Sequence, residues 1–154
     1  MNEYRIEKNP HPVVVTLYGG ERIPGSMFVQ AHARHHPGRE DPADILNEPE
    51  PFFPFRIATG DVLLISKSRV VEVAGDVPSR RKSSVPAGTP MVSVEVTIAG
   101  GAMCRGVVFL EAPGPGTRLL DFFNHLTQRF FALHAGDGLR LINRDYVERV
   151  HPLD

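Results

Sequence analysis

Tryptophan is absent and cysteine occurs once, at Cys104, so no intramolecular disulfide can staple the fold, which fits a reducing compartment. Long hydrophobic runs are missing too. Nothing approaches the ~18 apolar residues needed to cross a bilayer, and Met1 to Lys8 lacks the apolar core of a signal peptide, so a cytoplasmic protein with no membrane partner is expected. Neither sign of charge is in excess: 17 Lys and Arg face 18 Asp and Glu, a formal net charge of -1. Binding to DNA or RNA normally leaves a basic footprint, which this balance does not supply. The 42% hydrophobic content is enough for a globular core and excludes disordered and collagen-like chains.

What the sequence does contain is a repeat of itself. Val13 to Gln30 reads VVVTLYGGERIPGSMFVQ and Val94 to Glu111 reads VEVTIAGGAMCRGVVFLE, with Val13, Val15, Thr16, Gly19, Gly20, Gly25 and Phe28 falling on Val94, Val96, Thr97, Gly100, Gly101, Gly106 and Phe109. Asp44-Ile45-Leu46-Asn47 corresponds to Asp121-Phe122-Phe123-Asn124, and each is followed by a double phenylalanine, Phe52-Phe53 or Phe130-Phe131. GDVLLISKSRVVEV from Gly60 then matches GDGLRLINRDYVERV from Gly136, give or take one residue. The order of the blocks is kept. Between the copies runs a Pro-, Gly- and Ser-rich stretch carrying Arg80-Arg81-Lys82, a poor strand or helix. The expected division is therefore a first domain over 1–75, a linker over 76–90 and a second domain over 91–154.

Within each copy apolar residues recur with period two, which predicts strands. The Gly-Gly pairs mark hairpin turns, since glycine reaches the positive φ of tight turns. A further glycine in the returning strand, Gly25 or Gly106, predicts a bend or a close backbone approach. A helical turn is expected at the Asp-x-x-Asn blocks. Three more short strands follow, near 52–57, 62–66 and 69–74, then near 130–134, 139–143 and 146–150. Ser66-Lys67-Ser68 and Asn143-Arg144-Asp145 read as tight turns between the last two. Five short strands in some 60 residues are best buried by closure, so the expected fold is mainly β: two tandem five-stranded small barrels of the SH3 or Sm-like kind.

On these residues each copy resembles the Sm-like barrel family: alternating valines in strand one, glycine in the first turn and in strand two, an Asp and an Asn before strand three, and a closing strand-turn-strand. The DxxN and paired-Phe block also resembles an uncharacterised bacterial domain family. In the Sm pattern an Asp-x-x-x-Asn stretch and an Arg-Gly pair in the last turn line a uridine pocket. Here Asp44 to Asn47 and Asp121 to Asn124 are one residue closer, and the turns carry Lys67-Ser68 and Arg144-Asp145 without glycine. Single-stranded RNA is thereby the disfavoured partner.

Few residues suggest chemistry. His32, His35 and His36, with Asp41 and Asp44 nearby, have a spacing that can seat imidazoles on one metal, the basis of a metal-dependent enzyme as an alternative function. A solvated loop explains the same composition, and neither an activated water nor a general base can be named. Cys104 falls on the inward parity of its strand, where cysteine behaves as a small hydrophobe. No nucleophile elbow, phosphate loop or dinucleotide fingerprint is present, so no catalytic residue and no cofactor are assigned. Asp44 and Asp121 are expected to cap or turn the chain, with Asn47 and Asn124 ending the helical turn in a left-handed conformation; ligand binding is the alternative role for these four. Adjacent aromatics in a strand point to opposite faces, so one ring of each Phe pair should lie outside its barrel. Phe53 and Phe131 are the candidates for that interface. Together these readings predict a non-enzymatic interaction or regulatory module, partnered by protein or by itself.

Overall fold

The computed structural model describes residues 8–30, 40–75, 88–110 and 118–153, and the chain divides into two compact units, Met1–Val73 and Ala74–Asp154. Both units are mainly β. The first holds β1 (Lys8–Leu17), β2 (Arg22–Gln30), the short helix α1 (Pro42–Asn47), β3 (Phe52–Ile57), β4 (Val62–Ser66) and β5 (Val70–Gly75), the unit boundary falling within β5. The second holds β6 (Met91–Ile98), β7 (Met103–Phe109), helix α2 (Leu119–Asn124), β8 (Phe130–Ala135), β9 (Gly138–Asn143) and β10 (Val147–Pro152). Most of the proposed linker, residues 76–87, lies outside the described residues.

Hydrogen-bonded strand order repeats from unit to unit: β5-β1-β2-β3-β4 in the first, β10-β6-β7-β8-β9 in the second. Register repeats as well. Val13 faces Gly25 and Val15 faces Ile23 across the first hairpin, as Val94 faces Gly106 and Val96 faces Cys104 across the second. Each hairpin turns on its Gly-Gly pair, with φ of +105° and +98° at Gly19 and Gly20, and +96° and +94° at Gly100 and Gly101. An L side chain at those angles would be strained, so the pair sets the turn and the turn sets the register.

Alternation then decides the core. Val13, Val15, Met27 and Val29 are buried in the first unit, and Val94, Val96, Val108 and Leu110 hold the equivalent positions in the second. The mid-strand glycines open the space for strand three. A Cβ built on Gly25 would overlap the Arg56 carbonyl oxygen and lie 2.6 Å from the Phe55 ring, and one on Gly106 would lie 2.8 Å from the His134 oxygen. Close backbone approach, rather than turn geometry, is what these two positions require.

Closed barrels are a finer reading than the structure carries. The end strands of each run, β4 and β5 or β9 and β10, are not hydrogen-bonded neighbours, so each unit is an open five-stranded run. The reason lies in the connection between them. After β4 and β9 the chain makes a three-residue 3₁₀ turn, Lys67–Arg69 or Arg144–Tyr146. Its last carbonyl accepts an N–H from the far hairpin, Tyr18 to Arg69 at 2.9 Å and Ala99 to Tyr146 at 2.8 Å. This contact ties the turn to the β1 or β6 end, and the next strand is laid beside β1 or β6 instead of returning along its predecessor. No helix among the described residues is long and apolar enough to cross a membrane.

Candidate functional site

The two DxxN blocks do form short helices, but they are capped differently. Asp41 opens α1 with a reciprocal capping box: its Oδ1 accepts from the Asp44 N–H at 3.0 Å, and Asp44 Oδ2 accepts from the Asp41 N–H at 2.8 Å. At the start of α2 stands Arg118, with no side-chain cap bond. The Asp121 carbonyl accepts the His125 N–H at 3.0 Å and lies 2.9 Å from His125 Nδ1. The expected left-handed ends at Asn47 and Asn124 are corrected: no described non-glycine residue has positive φ. Glu48 leaves α1 extended, at φ −73° and ψ 156°, because it precedes Pro49 and the proline ring disfavours helical backbone there.

Lys67 and Arg144, in the 3₁₀ turns that precede β5 and β10, reach back to the loop after the helix in both units. Lys67 is 2% exposed, and its Nζ donates to the Glu48 carbonyl at 3.0 Å. The Arg144 guanidinium donates to the Leu126 carbonyl and, at 3.4 Å, to that of Gln128. The Lys67 and Arg144 N–H groups bond Pro51 O and Arg129 O, each at 2.8 Å. Both cations are thus part of the clamp that joins helix, loop and turn. Beside them Asn143, fully buried, accepts the Asp145 N–H at 3.0 Å, and Ser66 Oγ lies 3.1 Å from Ser68 Oγ.

A second repeated pair escaped the sequence reading. The Arg56 guanidinium sits 4.8 Å from the Phe28 ring centroid, and His134 meets Phe109 edge-on at the same centroid separation of 4.8 Å. Arg56 and His134 hold the same repeat position, diagonal to Phe28 and Phe109 across the strands. Aligning the two copies residue by residue through strand three would have exposed the pair. On β6 and β7, Arg105 Nε pairs with Glu95 Oε2 at 2.7 Å, directly across the strands.

The phenylalanine parity needs correction. Phe53 and Phe131 are not outward: they are 1% and 3% exposed. Phe53 shares the buried side of β3 with Phe55, ring centroids 6.4 Å apart, while Phe131 is met by Phe123 of α2 at 5.2 Å, edge to face. The outward ring of the first pair is Phe52, 55% exposed; in the second pair both rings are buried, Phe130 at 1%. Phe52 belongs to a bare apolar patch. Phe52, Pro54 and Arg56 lie opposite Ser66, Leu64 and Val62, so these six share one side of the β3–β4 hairpin. Val62 and Leu64 there are 49% and 72% exposed, whereas Leu141, the repeat equivalent of Leu64, is 3% exposed.

Cys104 is a free thiol, buried as its strand parity predicts. His32, His35 and His36 lie outside the described residues. Among the described residues no group of three His, Cys, Asp or Glu is placed to hold a metal ion. No family model, curated protein or solved structure matches the chain.

Proposed function

We propose that this chain is a non-enzymatic interaction module built from two duplicated Sm-like units, which works by binding protein at the outer side of the β3–β4 hairpin. The observation carrying this reading is the contrast between equivalent positions: Phe52 and Leu64 are 55% and 72% exposed, while Phe130 and Leu141 are 1% and 3% exposed. Contiguous exposed apolar side chains on a sheet mark interaction sites, because each square ångström left in water forgoes ~25 cal/mol of burial. The Sm-like character rests on the repeated strand order, the repeated glycines and the repeated turn. RNA is less well supported, since Lys67 and Arg144 are engaged with backbone carbonyls.

The test compares the intact chain with Phe52→Ser, both isolated from the native cell with quantitative cross-linking. Loss of cross-linked protein in the variant, with an unchanged circular dichroism spectrum, is the expected result. Oligo(U) and oligo(A) binding is measured beside it at two salt concentrations. Unchanged protein cross-links together with salt-dependent oligonucleotide binding would overturn the proposal in favour of the RNA reading.

A further inference from the structure

We draw no further inference here: the strongest candidate, the bare apolar patch of Phe52, Val62 and Leu64 on the β3–β4 hairpin of the first unit, belongs to the site already described, and nothing in the structure shows what covers it.

Discussion

Replacing Gly25 with alanine sets two effects of opposite sign against each other. Gly25 is not at positive φ, so alanine there would ordinarily stabilise by about 0.4–1 kcal/mol through the unfolded chain. Against this, the added Cβ overlaps the Arg56 carbonyl oxygen and sits 2.6 Å and 2.8 Å from two atoms of the Phe55 ring. Ordinary contact needs 3.4 Å or more, so β2 and β3 must part by about 1 Å where overpacking typically costs 1–3 kcal/mol. Only three residue pairs are registered between those strands, Gly25 with Ile57, Ser26 with Arg56 and Met27 with Phe55, so the ladder has little to absorb the shift. The overlap wins, and Gly25→Ala should destabilise by about 2 kcal/mol net, or roughly 8–16 °C in the melting of a domain this size. Gly106→Ala should cost less, about 1 kcal/mol net, because its nearest neighbours stand at 2.8 Å, whereas the Cβ on Gly25 overlaps a carbonyl oxygen outright. Urea denaturation of each variant, followed by circular dichroism, measures both. Equal or greater stability in Gly25→Ala would refute the close-approach argument, and a larger loss at Gly106 than at Gly25 would refute the ordering.

Lys67→Met should lose about 2 kcal/mol in the same assay, since it leaves the Glu48 carbonyl without its charged donor in a buried clamp, whereas Arg144→Met, at a more exposed turn, should lose under half of that. Asp41→Ala breaks the capping box and should cost about 1 kcal/mol, while Arg118→Asp supplies a cap that α2 lacks and should raise stability by about 0.5–1 kcal/mol; a neutral result in both would show that the helices add nothing to either unit. Phe131→Ser should destabilise by about 3–5 kcal/mol and Phe52→Ser by less than 1 kcal/mol, and thermal melts with the reverse order would contradict the assigned strand parity.

The duplicated architecture was legible in the sequence because it rests on short-range rules. Paired glycines at Gly19-Gly20 and Gly100-Gly101 permit only one kind of turn, and alternating valines on either side of each turn allow only one register. Gly25 and Gly106 announced a tight approach for the same local reason: a missing side chain is visible in one dimension. A capping role near Asp44 was legible, but the residue that caps α1 is Asp41, three residues earlier, with Asp44 answering it from the first turn.

Tertiary structure decided whatever depends on groups far apart along the chain. Which phenylalanine of a pair faces outward is a single parity choice, and only packing fixes it: Phe53 is held with Phe55, Phe131 with Phe123. Lys67 meets Glu48 across 19 residues of sequence and Arg144 meets Leu126 across 18, so their engagement with carbonyls leaves no trace in local composition. Whether β4 or β9 is bare is likewise unreadable from VLLIS and GLRLIN alone. Residue pattern dictates what a strand is able to bury, but burial itself is a property of the neighbours that the folded chain brings against it.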